Sequence, residues 1–571
     1  MTPKPIATAH LDGTAKQSLE VGRNRLLVGG ALFAVAFSVI AFRLADVSVV
    51  KTAGEPGVAA AAQARAFTAG RADIVDRNGV ILATSLNTAS LYANPRHVLD
   101  AREAAKRLSR VLPELRAAVL LAKLTSGRTF VWIKRHLTPR QHHSVLRQGI
   151  PGLYFQREER RIYPQGRLFS HLLGFAGIDG VGLAGVEKQF NDSLRAGAKP
   201  LVLSVDTRIQ HVLTQELAAA VGEFRAAGGT GLVMDTDTGE IIAMASLPDF
   251  DPNVPNRSPA KALFNRATLG VYEMGSTFKV FTVAMALDAG AVRMSGGFDA
   301  SKPIRVASYR ITDYHGKNRW LSVPEIFMYS SNIGAAKMAL ALGTRGQRDY
   351  LGRLGLLTPP SVEVPEVGAP LVPSPWRKIN TMTIAYGHGI AVSPAQFVES
   401  VATVANGGIR YPATVLKPLK DEPAKGRRVL KRRTSLEIRK LMRLVVTGGT
   451  GRQGHAPGYL VGGKTGTAEK TGGRGYRSKA LVSSFVGVFP ITAPRYVVLV
   501  LIDEPRGNKR THGYATGGWV AAPAVSRIIS RAAPLLGVAP VDEESELVRR
   551  TLRVRIPTAP RGRQGHNIAS F

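Results

Sequence analysis

Residues 272–288 read YEMGSTFKVFTVAMALD, and their pattern decides how the chain is interpreted. Met274-Gly275 precedes Ser276. Phe278, Phe281, Val283, Met285 and Leu287 follow it, and Lys279 is the only charge before Asp288. That pattern predicts a mostly buried helix with Ser276 in its first turn. Lys279 at i+3 lies on the same face one turn on, so its amine reaches the serine hydroxyl. Burial and the positive helix end both disfavour an ammonium and push Lys279 towards a neutral base. Such a base is what an isolated serine needs in order to attack a carbonyl. A lone Ser-x-x-Lys carries little weight, because a chain of this composition holds about one or two by chance. Alone, it would read as a solvated lysine beside a helix-capping serine.

Two later fragments change that weighting. Ser330-Ser331-Asn332 lies in a loop between helical patterns. The Ser330 hydroxyl there can relay a proton to a departing amine, and the Asn332 amide can hold a substrate carbonyl. The plainer reading is an N-cap for the helix through Ala335–Leu342. Leu460–Thr467 reads as a strand carrying Lys464, with Gly462, Gly463 and Gly466 removing bulk so that another backbone can approach. Such an edge strand accepts an extended peptide by strand addition, with Lys464 and the Thr465 hydroxyl on a C-terminal carboxylate. Backbone N–H groups of Ser276 and Thr467 are the expected oxyanion donors.

Other constellations are weaker. There is no G-x-S-x-G elbow, and His388, His455 and His512 have no evident serine partner. His142-His143 lacks metal-ligand spacing, and no Walker or Rossmann fingerprint stands out, so neither metal nor cofactor is expected. Tyr386-Gly387-His388-Gly389 is a segment that could line the cleft.

The 571 residues exceed one compact core, and two or three domains are expected. Absence of cysteine excludes disulfides, thiolate metal sites and a cysteine nucleophile without assigning a compartment. Leu26–Phe42 is an unbroken apolar run with one serine, about 26 Å long as a helix. Lys4, Lys16, Arg23 and Arg25 precede it and only Arg43 and Lys51 follow closely, which places the N-terminus in the cytoplasm. A cleaved signal peptide is the competing reading. Against it, the run is long, and Arg43 stands where a cleavage motif would begin. The net charge of +35 raises nucleic acid as a partner. The basic residues are scattered, however, with no recognition helix or zinc spacing, so anionic headgroups and carboxylate-bearing wall polymer fit better than nucleic acid.

Strand-like runs at the two ends of the second half, with helices between, predict an α+β domain whose terminal strands share one antiparallel sheet. The expected divisions are a cytoplasmic tail over residues 1–25, an anchor over 26–45 and a non-catalytic pedestal over 46–200. A catalytic domain follows over 201–535, and a loose tail over 536–571. Ala72–Val75 and Val80–Ala83 flank Asp76-Arg77-Asn78-Gly79 as a hairpin, Ala101–Leu124 has helical spacing, and residues 161–187 read as loops and turns.

The three motifs in this order, with their flanks, resemble the class B penicillin-binding proteins from about Gly70 to Ala524. Arg71 through Asn78-Gly79, Arg161-x-Tyr163-Pro164, His171-Leu172-Leu173-Gly174 and Gly182-Leu183-x-Gly185-x-Glu187 are similar to the family's pedestal motifs. Leu247–Asn253 and Asn265-Arg266-Ala267 precede the serine as they do in the family. Ala72 and Met274 depart from its usual glycine and proline. The resemblance implies a penicillin-binding/β-lactamase-like transpeptidase domain on an elongated pedestal with a single membrane anchor. Within the family, Ala385–Ile390, Ser393-Pro394 and Asp503-Glu504-Pro505 look most like the division-specific members, the elongation-specific ones being the rivals.

The implied activity is D,D-transpeptidation of peptidoglycan stem peptides through an acyl-serine on Ser276, blocked by β-lactams. The implied setting is the inner membrane at the septum, with the polymerase FtsW and other divisome proteins as partners. No Glu-x-x-x-Asn follows Ser331, which argues against a β-lactamase, and a wall-binding scaffold would not need all three motifs. A carboxypeptidase, in which water replaces the acceptor amine, is separated poorly by sequence.

Overall fold

A computed structural model describes residues 13–45, 70–197, 199–306, 309–418, 424–472 and 475–558. The chain divides into two compact units, residues 1–69 and 70–571. In the first, helix α1 (Gly13–Ala45) carries a 20-residue apolar stretch, Arg23–Phe42, with none of it buried. At ~1.5 Å per residue this is about 30 Å, enough to cross a bilayer. The helix begins at Gly13, so part of the segment read as a polar tail is helical. The Ala-rich Val58–Ala66, read as helix-prone, lies outside the described residues.

The second unit opens with the expected hairpin, β1 (Ile74–Val75) against β2 (Ile81–Ala93). Asp76 Oδ1 closes the turn by accepting from Asn78 N at 2.8 Å and Val80 N at 2.9 Å, and Gly79 supplies the φ of +86°. The helical stretch after it is two helices, α2 (Ala101–Val111) and α3 (Ala117–Leu124), because Pro113 cannot continue the first. Strands β3 (Val131–Leu137) and β4 (Leu153–Ile162) flank β2 on its two sides, and β5 (Leu201–Val202) runs parallel to β1. Residues 161–187, read as loops, contain single helical turns at Gly166–Phe169, Ser170–Leu173 and Gly185–Gln189. Their centre is the fully buried Glu187, whose carboxylate receives Arg71 Nε at 2.6 Å and Arg161 Nε at 2.7 Å.

The turn of the hairpin also starts the next layer. Asp76 Oδ2 accepts from Thr207 N and Thr207 Oγ1 at the head of α4 (Thr207–Glu223). Strands β6 (Gly228–Asp235) and β7 (Ile241–Leu247) follow, then helices α5 (Lys279–Asp288), α6 (Asn332–Leu342), α7 (Pro394–Ala405) and α8 (Arg432–Gly448). Strands β8 (Gly462–Gly472), β9 (Gly475–Phe489) and β10 (Tyr496–Asp503) return before α9 (Gly517–Leu535). One antiparallel sheet runs β8-β9-β10-β6-β7, so early and late strands meet as expected.

Strand β10 is buried on both faces, and its period of two sorts it between two cores. Val498, Val500 and Ile502 pack with α4 and α9 through Leu213, Leu217, Val525 and Ile528. Val497, Leu499 and Leu501 join the larger core with Phe281, Phe397 and Leu441 from α5, α7 and α8. Within residues 536–571, read as a loose tail, Glu546–Leu552 is a helix with Val548 buried. Glu543 secures that segment, receiving Arg443 Nη2 at 2.5 Å and Gly458 N at 2.8 Å.

Candidate active site

Ser276 sits in a 3-10 turn, Gly275–Phe278, that runs directly into α5. Phe278 and Phe281 anchor the junction in the core at edge-to-face spacing, 5.1 Å between centroids. Lys279 is therefore drawn fully inside, and so is Lys464 on β8. Tight backbone contacts fix the turn. An added Cβ on Gly387, at φ +81°, would lie 2.2 Å from Gly275 O, and one on Gly466 would lie 2.6 Å from Met274 O. Gly387 and Gly466 thus let two backbones close on the turn that carries the serine.

Lys279 Nζ lies 2.7 Å from Ser276 Oγ, 3.0 Å from Ser330 O, 3.1 Å from Ser330 Oγ and 2.7 Å from Asn332 Oδ1. Two of these atoms, Ser330 O and Asn332 Oδ1, can only accept. A neutral amine has two N–H groups for them and one lone pair left for the Ser276 O–H. Burial first, and the Lys464 cation second, hold the Lys279 amine well below its ordinary 10.5, with Asp313 acting the other way. Lys464 Nζ donates to Ser330 Oγ at 3.0 Å and to Thr465 O at 3.2 Å, and burial brings it down to about 7. Ser330 Oγ therefore bridges the two amines. The residue adopts φ +61°, a left-handed conformation uncommon for serine, and offers both its carbonyl and its hydroxyl to Lys279.

Residues from motifs more than 180 positions apart thus meet at one point: Ser276, Lys279, Ser330, Asn332 and Lys464. Of the other expected residues, Thr465 Oγ1 is 2.7 Å from Thr450 Oγ1, and Thr467 Oγ1 accepts from Gly517 N at 3.1 Å. Strand β8 is an edge of the sheet, as strand addition requires. Ser331 is the N-cap of α6, accepting from Gly334 N at 2.9 Å, so the plainer reading of that motif holds for the middle residue.

The Tyr386 ring lies 5.9 Å from Lys279 Nζ, its hydroxyl pushed up to about 12 by burial and then by Glu273. Phe327 faces Lys464 Nζ at 6.0 Å. Sequence reasoning missed Phe327, Thr450 and Asp313. Asp313 accepts two hydrogen bonds from the second motif and one from Ile333 N just after it, but its loop has no periodicity or spacing to single it out.

Comparison with known proteins bears on both halves of the chain. The penicillin-binding protein transpeptidase domain matches residues 229–530, and the penicillin-binding protein dimerisation domain matches residues 66–218. The chain is 42% identical over 481 residues to the probable peptidoglycan D,D-transpeptidase FtsI of Caulobacter vibrioides, covering 82% of each. It is 29% identical over 557 residues to the peptidoglycan D,D-transpeptidase FtsI of Escherichia coli, covering 91% of this chain and 92% of that one. Among solved structures, the transpeptidase domain of Burkholderia pseudomallei penicillin-binding protein 3 aligns with 35% identity and a TM-score of 0.54, over 60% of this chain and 98% of that one. Penicillin-binding protein 3 of Mycobacterium tuberculosis, solved with aztreonam, shares the fold at 23% identity and a TM-score of 0.66, over 83% of this chain and 98% of that one. With a dimerisation domain followed by a transpeptidase domain and relatives matched along four fifths of its length, the chain belongs to the class B penicillin-binding proteins of the FtsI type.

Proposed function

We propose that this chain is a septal peptidoglycan D,D-transpeptidase working through an acyl-serine. The observation that carries the reading is the buried Lys279 amine, 2.7 Å from Ser276 Oγ with two obligate acceptors for its N–H groups. Lys279 takes the Ser276 proton as Oγ attacks the penultimate D-Ala carbonyl of a stem peptide bound along β8. Backbone N–H groups of Ser276 and Thr467 hold the developing oxyanion. Lys464 and the Thr465 hydroxyl receive the terminal carboxylate, with Gly466 giving the peptide room and the Asn332 amide steadying its backbone. The C–N bond breaks as Ser330 passes a proton to the departing D-Ala amine and regains one from Lys279, which thereby returns the proton it took from Ser276. The amine of a neighbouring stem then attacks the acyl-enzyme, and the proton it loses passes by Ser330 and Lys279 to Ser276 as that oxygen leaves. A β-lactam follows the first half of this course and remains on Ser276.

The names of the relatives support division over elongation. Lys4, Lys16, Arg23 and Arg25 ahead of the apolar run Leu26–Phe42, together with that run, support a single-pass anchor in the inner membrane, N-terminus in the cytoplasm and catalytic unit in the periplasm. There it would work with FtsW and other divisome proteins. Residues 46–200 serve as pedestal and 201–535 as catalytic domain in this reading.

The test is gel detection of a fluorescent penicillin on wild type and Ser276→Ala. Persistent label on the wild type alone is expected. Label on the variant would remove Ser276 as nucleophile, rapid loss from the wild type would indicate a β-lactamase, and no label on folded wild type would favour a scaffold. Enrichment of a tagged chain at the division site, rather than along the side wall, tests the septal assignment.

A further inference from the structure

The second motif does not hold itself in place. Asp313, 18 residues upstream in the loop after the small strand Tyr309–Ile311, reaches its backbone and its capping side chain together. One carboxylate oxygen accepts from Asn332 N at 2.6 Å and Ile333 N at 3.0 Å, and the other accepts from Ser331 Oγ at 2.7 Å. The neighbouring Thr312 carbonyl accepts from Asn332 Nδ2 at 2.9 Å. A carbonyl cannot donate, so this contact fixes which way the Asn332 amide faces. Nδ2 must point at Thr312 and Oδ1 at Lys279.

We propose that Asp313 is a positioning residue for the base, acting with the Thr312 carbonyl to set the first turn of α6 so that Ser330 and Asn332 present their acceptors to Lys279. This rests on the reading of Lys279 as the base. The arithmetic of donors shows why positioning matters. If the Asn332 amide were free to turn, its Nδ2 would offer hydrogens to an amine that needs an acceptor there, and the lone pair would be drawn from Ser276. A carboxylate over the first N–H groups of α6 is also well placed electrostatically.

Asp313 has a second influence on Lys279 through its charge. The charged and titratable groups around Lys279 are Lys464 from β8, Asp313 from its loop, and Tyr386 and His388 from the segment after Ala385, with Glu273 behind them holding Gly389 N at 2.9 Å. Asp313 opposes the lowering by burial and Lys464. Removing its charge lets the Lys279 amine fall further, so the neutral base persists to lower pH.

The experiment is the pH dependence of acylation by a fluorescent penicillin for wild type, Asp313→Asn, Asp313→Ala and Lys279→Arg, each checked by thermal unfolding. Asp313→Asn keeps one acceptor oxygen for Asn332 N and Ile333 N, replaces the acceptor facing Ser331 Oγ with a donor, and loses the charge. Its plateau should therefore fall less than that of Asp313→Ala, and its acid limb should move to lower pH. Asp313→Ala loses the clamp, and its plateau should fall about 10-fold or more with little change in penicillin binding. Wild-type plateau in Asp313→Ala together with a wild-type acid limb in Asp313→Asn overturns the proposal. If Asp313→Ala does not fold, the plateau and the acid limb of Asp313→Asn decide together, and wild-type values of both overturn the proposal. Lys279→Arg separates the two readings. Wild-type acylation by that variant sinks the base itself, whereas an inactive Lys279→Arg beside unchanged Asp313 variants sinks only the positioning role.

Discussion

Lys279 and Lys464 are both fully buried, and each touches Ser330 Oγ. Two ammonium ions cannot share that space at low cost, and in the proposed mechanism their protons divide the work: the neutral amine serves Ser276, and the charged one serves the stem-peptide carboxylate. The rate of acylation per unit penicillin should rise with pH as Lys279 loses its proton. It should fall again near pH 7 as Lys464 of the free enzyme loses its own. Lys464→Arg, which stays charged, should carry the alkaline limb to higher pH. An alkaline limb unmoved by that change would belong to another group.

The same burial acts on stability. Lys464 titrates at about 7 in the fold and at its ordinary 10.5 when unfolded, so the unfolded chain binds more protons between those values. Stability therefore rises with pH across that window and is lowest below it. Lys464→Met should raise the unfolding temperature by a few degrees at about pH 6, with the gain shrinking towards pH 10, while weakening acylation. Equal unfolding temperatures at both pH values would show that the site imposes no such cost.

At the scale of elements, the serine turn is held between a loop and a strand by backbones in contact. Gly387→Ala would put a Cβ 2.2 Å from Gly275 O at a residue with φ +81°. It should lower acylation at least about tenfold with only modest loss of global stability, read as rate beside unfolding temperature. Wild-type acylation would mean that the loop yields freely.

These elements differ in how far they were legible. Ser276 and Lys279 stand i, i+3 in an apolar run, so spacing alone brings them to one face. The strands around Asp235–Gly239 declare themselves by β-branched runs about a turn. Pro113 splitting α2 from α3 is a local rule applied too loosely across Ala101–Leu124. The helix at Glu546–Leu552 was hidden for another reason: its composition is polar, and what orders it is Glu543 meeting Arg443, a hundred residues away. Asp313 was illegible likewise, because its importance lies in who accepts from whom across the fold.

The pedestal and the catalytic layer form one compact unit, and polar contacts join them at several points. Asp76 heads α4, Asn78 Nδ2 meets Asp206 Oδ2 at 3.0 Å, and Glu366 accepts from Gly185 N at 3.2 Å. Behind these contacts stands Glu187, buried with Arg71 and Arg161. Glu187→Ala would leave two buried guanidinium groups without their carboxylate and should cost about 3–5 kcal/mol. The expected signature is a lower unfolding temperature and yield, with the acylation rate of the folded fraction unchanged. A slower folded fraction would mean that the pedestal tunes the site directly.

Strand β6 takes its neighbour β10 from across the 260 residues numbered 236 to 495. The consequence concerns time. A chain delivered N-terminus first presents Ser276 long before the sheet that backs it can close, and β6 waits with one edge open until Asp503 has arrived. Such a distant pairing is slow to form and vulnerable while it waits. The emerging polypeptide is therefore expected to be chemically silent for most of its delivery, and a product cut short anywhere before β10 should form no acyl-enzyme with a fluorescent penicillin.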